Sequence, residues 1–369
     1  MTVLDTGDKR PGIGTDAVEA GRAGLPDPRA ASLTRRTLPR QVPWAIAGGG
    51  VLLTILLELT LDNWALAVFL AGVAFIVTLS AVSWRFEDSR RARDRFATSL
   101  ISTTFVLAVL PLISLLGYTI QRGVDKLTPY FLSHSMRGVG ARDDTGGVYH
   151  AIIGTLEQVG LAALIAVPIG LLTAIYLVEY GRGRLAKTVT FFVDVMTGLP
   201  SIVAGLFIYA FWIMMLGFEA SGFAGSLALM ILMLPTVVRS AEEMLKLVPN
   251  ELREASLALG IPKWRTVLKV VLPTAFGGIV TGVMLSIARV IGETAPLLLL
   301  VGLTQSINTD PFSGWQSALP LYVFDQNHAG NRFAEERAWA AALTLIVIVM
   351  ILNLAARLIA RWKAPKAGR

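Results

Sequence analysis

The sequence predicts an all-α, polytopic membrane bundle of about eight transmembrane helices. Mean hydropathy is +0.62 with 16% charged residues, where a soluble domain carries about 25%. Apolar runs of bilayer length recur along the 369 residues. Lys and Arg gather between alternate runs rather than in one patch interleaved with aromatics, so the formal charge of +7 does not point to nucleic acid. With no cysteine, disulfides, thiolate metal sites and cysteine nucleophiles are excluded, and three scattered histidines (His134, His150, His328) do not make a metal cluster.

Residues 1–41 are rich in Gly, Pro, Ala and Arg without apolar periodicity, and read as a disordered tail. They are too long and too polar for the front of a cleavable signal peptide. Val42 to Leu57 and Trp64 to Trp84 form an amino-terminal hairpin (42–84) with Trp44, Trp64 and Trp84 near its ends, where interfacial aromatics belong. Glu58, near the hairpin turn, reaches the interface and is not a transport residue. A core of six spans is expected over 97–360. Its spans are Ala97 to Tyr118, Ala151 to Val178, Thr188 to Leu216, Phe223 to Val238, Pro273 to about Leu303, and Ala338 to Ile359. A basic tail, 361–369, follows.

Orientation comes from the cations. Residues 1–41, 85–95, 182–187, 239–269 and 357–369 hold 26 Lys and Arg against 6 in the alternate loops, which predicts both termini in the cytoplasm.

A polar island, 239–273, lies on the cytoplasmic side in this topology. Asn250 can cap a helix whose first turn carries Glu251, Gly260 can close that helix in the left-handed conformation, and Pro262 suits the first turn of a second helix. On that second helix Trp264, Val267, Leu268 and Val271 fall at i, i+3, i+4 and i+7 and share one face. An amphipathic connector lying on the membrane surface would show the same periodicity.

Spacing adds more. Glu254-Ala255-Ser256, three residues, Gly260, nine residues, then Val270-Val271-Leu272-Pro273 resembles the EAA signature of the membrane subunits of bacterial ABC importers, with Ser256 replacing the second Ala and Val270 the Ile. The resemblance covers about 97–369 and implies that Glu254, Ala255, Ser256, Gly260, Pro262 and Trp264 belong to a coupling helix seated in a cleft of a separate ATPase subunit.

Within the seventh span, Arg289 and Glu293 stand at i and i+4 and would lie on one helical face, partly neutralising one another. Arg before Glu is the weaker order for stabilising a helix. Arg also offers a planar fork that matches phosphate or carboxylate oxygens. Ion-pair packing and an anion pathway are both open at this point. Arg289-Val290-Ile291-Gly292-Glu293-Thr294-Ala295-Pro296-Leu297-Leu298 resembles a run of the PstA-type permease subunits of phosphate ABC importers, as do residues 174–180 and 198–205. The resemblance implies that Arg289 and Glu293 take part in phosphate passage.

Gly198-Leu199-Pro200-Ser201 would interrupt the fifth span. A helix restarting at Pro200 points free amides into the bundle, with Thr197 or Ser201 adding a hydroxyl; a plain proline kink fits equally well. Asp194, the one charge of that span, could take a proton from hydrogenphosphate, and a capping or buried-partner role suits it better.

The sequence has neither a phosphate-binding loop of the Gly-x-x-x-x-Gly-Lys-Ser/Thr type nor a Gly-x-Ser-x-Gly elbow. The chain is therefore expected to have no ATPase site of its own, and the resemblance implies a non-enzymatic transport subunit in the bacterial inner membrane with no cofactor of its own. By the resemblance, ATP and Mg are bound by a PstB-type ATPase dimer, the route is shared with a homologous PstC-type permease, and phosphate arrives on a PstS-type binding protein. Alternatives are an importer of another oxyanion, such as molybdate or sulfate, or a passive channel or scaffold.

Overall fold

The computed structural model describes residues 38–39, 41–87, 89–140 and 142–363. The expected amino-terminal tail lies outside them except for residues 38, 39 and 41, and so does most of the carboxy-terminal tail. The chain divides into two compact units, Met1–Ser114 and Leu115–Arg369. This boundary lies inside the third span, so the hairpin unit reaches further along the chain than residue 84.

In the first unit, α1 (Gln41–Leu61) and α2 (Trp64–Phe86) form the expected hairpin. Asp62 adopts a left-handed φ of 48° in the turn, and Asn63 caps α2 by accepting from the Leu66 amide at 3.1 Å. The third helix, α3 (Ser89–Gly123), starts eight residues before the apolar run and takes in most of the charged segment. At about 1.5 Å per residue its 35 residues span roughly 52 Å, more than a bilayer core, so its arginine-rich start stands outside the hydrocarbon. Glu87, between α2 and α3, accepts from Arg95 Nε (2.7 Å) and Nη2 (3.0 Å), from Ser83 Oγ (2.7 Å) and from the Leu38 amide (2.8 Å).

In the second unit a short helix, α4 (Pro129–Ser133), precedes α5 (Tyr149–Tyr180), whose last turn, Tyr176–Tyr180, is a π-turn. The fifth span does not cross straight. Instead α6 (Gly183–Thr197) and α7 (Ser201–Met215) meet at 107° across Gly198-Leu199-Pro200. Pro200 precedes the restart rather than beginning it, because its fixed φ of −60° is paired with an extended ψ of 138°.

The sixth span, α8 (Gly222–Lys246), runs two turns beyond its apolar part. Then come α9 (Asn250–Ala258), α10 (Lys263–Val290), α11 (Ala295–Leu300), α12 (Leu319–His328) and α13 (Arg332–Lys363). Among the described residues seven helices are long and apolar enough to cross a membrane, eight if the bent pair is one span.

The core forms where α5 and α8 pack. Ala162 and Ala166 face Leu229, Met233 and Val237, all fully buried. Gly170 sits so near Val237 that a Cβ there would meet its Cγ1 at 2.7 Å. Small residues set this spacing, because lipid tails supply no hydrophobic drive for one helix to prefer another and contact depends on close packing.

Candidate functional site

Residues 247–273 build a lever from three helix ends. Pro249, not Asn250, occupies the N-cap of α9; the Asn250 carboxamide oxygen accepts from Arg253 Nη1 at 3.3 Å instead. Gly260 has φ +74° and closes α9, with Gly260 N donating to Leu257 O (3.0 Å) and Ile261 N to Ser256 O (3.3 Å). Pro262 caps the next helix through its carbonyl, which accepts from the amides of Arg265 (2.9 Å) and Thr266 (3.1 Å). That helix is not a separate connector. It runs unbroken through a π-turn at Val267–Val271 and past Pro273 into the membrane span, so the lever and α10 are one rod.

The anticipated apolar face is split. Val267 and Val271 are buried, Val271 in a cluster with Ala174, Ala241 and Leu245, whereas Trp264 and Leu268 are 54% and 55% exposed. With Leu257 and Leu259, also exposed, they leave apolar side chains open at the lever. Glu254 and Ala255 are exposed, and Ser256 is buried with its hydroxyl 2.9 Å from that of Thr266. The serine that departs from the EAA pattern thus has a partner ten residues on.

Two cations tie this lever to the spans. Arg253 donates from Nε to the Glu179 carboxylate (2.9 Å), from Nη1 to Val248 O (2.5 Å) and from Nη2 to Leu245 O (2.8 Å). It therefore neutralises a buried acid on α5 and satisfies orphan carbonyls at the end of α8. Lys263 donates to the Glu179 carbonyl and lies over the Tyr180 ring. Glu179 is 8% exposed; the π-turn places it.

The membrane part of the site differs from expectation in one respect. The seventh span stops at Val290, and Ile291 to Thr294 form a turn before α11, so Arg289 and Glu293 do not share a helical face. The Glu293 amide donates to Val290 O at 3.1 Å, and no ion pair joins the two side chains among the described residues. Arg289 is exposed in the last turn of α10. Beyond the turn, Pro296 packs on Gly205 of α7, where a Cβ would meet Pro296 Cα at 2.8 Å. Two interrupted helices therefore meet directly behind their breaks.

Thr197 donates its hydroxyl back to Val193 O at 2.9 Å, and Ser201 begins α7, half-buried. Neither is hydrogen-bonded to Arg289 or Glu293 among the described residues. Asp194 pairs with Arg239 of α8, which also holds Glu242 at 2.8 Å. Asp194 is exposed, so this partner is not the buried one expected.

Sequence reasoning passed over three polar features. Glu157, a carboxylate inside α5, accepts from Gln316 Nε2 at 2.5 Å, while Gln316 Oε1 accepts from Gln158 Nε2 at 3.1 Å. Gln316, Ser317 and Ala318 are buried because Gly154 and Gly222 leave a slot: a Cβ on either would come within 2.0 Å of Ser317 O or 1.9 Å of Gln316 Oε1. Arg337, expected at the end of an external segment, lies inside α13, 2% exposed, donating to Gln326 Oε1 (2.8 Å), Asp143 O (2.9 Å) and Thr145 O (3.1 Å). An intramembrane acid or a charge inside a predicted loop was the only available signal.

Comparison with known proteins fits this construction. Residues 166–368 match the family described as binding-protein-dependent transport system inner membrane component. The chain is 54% identical over 285 residues to the phosphate transport system permease protein PstA 1 of Mycobacterium tuberculosis, covering 76% of this chain and 91% of the relative. It is 37% identical over 270 residues to PstA of Pasteurella multocida, covering 73% and 95%. A bacterial ABC transporter involved in import of the acidic polysaccharide alginate shares the fold at 15% identity and TM-score 0.50, covering 73% of this chain and 96% of that one. The chain belongs to the inner membrane permeases of binding-protein-dependent transport systems and, within them, to the PstA phosphate transport permeases.

Proposed function

We propose that this PstA permease lines the phosphate route with Arg289 and is moved through residues 239–273 by ATP hydrolysed on a partner chain. It serves as the membrane permease of a phosphate ABC importer, multi-pass in the inner membrane. Both termini and the lever face the cytoplasm, in keeping with the cation asymmetry. A homologous PstC-type permease completes the route, a PstB-type ATPase dimer binds ATP and Mg and seats the exposed Leu257, Leu259 and Trp264, and a PstS-type binding protein delivers phosphate.

The observation that carries the pathway reading is the unpaired guanidinium of Arg289. Within a span a bare cation costs several kcal/mol unless it faces water or a partner, and Arg289 has no acceptor among the described residues. Its fork suits a tetrahedral oxyanion. Phosphate enters a cavity between the two permeases and meets Arg289, with Glu293 and the Thr197 and Ser201 hydroxyls beside the two helix breaks. ATP binding closes the ATPase dimer, the lever follows, and the bundles rock.

Uptake of labelled phosphate by the reconstituted complex tests this. Arg289→Ala should reduce uptake at least tenfold while all subunits copurify. Uptake at the unsubstituted rate removes Arg289 from the route, and faster uptake of molybdate or sulfate than of phosphate reassigns the substrate.

A further inference from the structure

We propose that Glu179 and Arg253 are a positioning pair that makes the ends of α5, α8 and α10 a single block, so that displacement of the lever turns α5 and not α10 alone. The inference rests on reading residues 239–273 as the ATPase-driven lever and goes beyond it by naming where the force enters the bundle.

Three features lead to it. First, beside its 3.3 Å bond to Asn250 in its own helix, Arg253 reaches out of α9 with each nitrogen of its fork: Nε to the Glu179 carboxylate at 2.9 Å, Nη2 to the Leu245 carbonyl in the last turn of α8 and Nη1 to the Val248 carbonyl just beyond it. Second, Lys263, at the start of α10, caps the end of α5 through the Glu179 carbonyl and packs over Tyr180. One residue therefore receives both cations, by its side chain from α9 and by its backbone from α10. Third, the two segments gripped carry π-turns, Tyr176–Tyr180 and Val267–Val271. A π-turn inserts an extra residue in a helix and re-aims the side chains after it. Here the first one places Glu179 where an unmodified turn would not.

Ala174, Ala241, Leu245, Val271 and Ala275 of α5, α8 and α10 form one buried cluster, so these helix ends are packed together as well as tied. Without the pair, α9 keeps its closing glycine and its Ser256 contact to Thr266, but among the described residues no hydrogen bond or ion pair joins it to α5. The lever would still bind a partner and slip against the span.

The absence of cysteine makes the test clean. In the full complex, Arg253→Gln and Glu179→Gln should retain the ATPase on copurification and hydrolyse ATP, with phosphate moved per ATP reduced at least tenfold. A Glu179→Cys, Arg253→Cys chain should show the same loss and regain transport when a short bis-methanethiosulfonate joins the two thiols. A purely structural role would not respond to that bridge.

Unchanged transport per ATP in Arg253→Gln, or a bridged pair no better than the unbridged one, overturns the proposal while leaving the lever reading intact. If the unsubstituted chain retains no ATPase, the lever reading itself fails and the pair falls with it.

Discussion

The hydroxyls of Ser256 and Thr266 lie 2.9 Å apart, both buried, and join the two arms of the lever across the Gly260 turn. Removing one partner strands the other in a dry place, which costs about 1–3 kcal/mol, whereas removing both is nearly neutral. Ser256→Ala alone should therefore lower the melting temperature of the detergent-solubilised complex. Ser256→Ala combined with Thr266→Val should restore most of it. A loss in the double variant equal to the sum of the losses in Ser256→Ala and Thr266→Val alone would show that the contact contributes nothing.

Gly260 has nothing within 4 Å of where a Cβ would stand, so its requirement is conformational and not steric. A β-branched residue held at φ +74° loses about 1–2 kcal/mol, while Asn tolerates the left-handed region. Gly260→Val should weaken retention of the ATPase and Gly260→Asn should retain it, as read by copurification. Identical behaviour of the two variants would mean that the turn conformation is irrelevant to docking.

At Gly154 the constraint is the opposite one. An added methyl would press on the Ser317 carbonyl at 2.0 Å, and backbone cannot yield as a flexible side chain can. Overpacking of this kind costs about 1–3 kcal/mol. Gly154→Ala should displace the 316–318 segment and raise the protease sensitivity of residues 302–318, with Gly160→Ala, which meets nothing within 4 Å, as the neutral control.

The Glu87 carboxyl is held well below its ordinary range, at about 2, chiefly by the hydrogen bonds from Arg95. A folded value below the unfolded one means that its contribution to stability is complete above about pH 4.5 and is lost as the pH falls through 4.5 towards 2. The difference in melting temperature between the unsubstituted chain and Glu87→Gln should be constant from pH 7 to 5 and shrink below 4.5. A difference that grows on acidification would mean the carboxylate is not what holds Leu38 and Arg95.

The spans were legible because hydropathy reports what a lipid contact requires, and all eight regions anticipated contain helix. Their ends were not. Hydropathy stops at the first charges, while backbone hydrogen bonding continues, so α3 begins at Ser89, α8 reaches Lys246 and α13 starts at Arg332. The Gly198-Pro200 break was visible in its residue types, but a bend of 107° was not, since local composition sets where a helix stops and neighbouring helices set where it restarts.

Gly260 could be placed because a left-handed closure requires nearly one residue type. Arg253 and Glu179 could not, because 74 positions separate two residues that are individually ordinary. The break after Val290 was masked for the same reason as the helix ends: Ile291 to Thr294 fit a helix by composition, and only Pro296 hinted otherwise.

The sharp elbow between Thr197 and Ser201 has a consequence for the life of the subunit. Hydrocarbon offers no hydrogen bonds, so peptide groups released at such an elbow have to be satisfied by protein or by trapped water. An inserted copy on its own carries that cost wherever protein does not cover the elbow. Cells making this polypeptide without its companions should clear it rapidly, and its half-life, followed by pulse labelling, should lengthen when they are supplied.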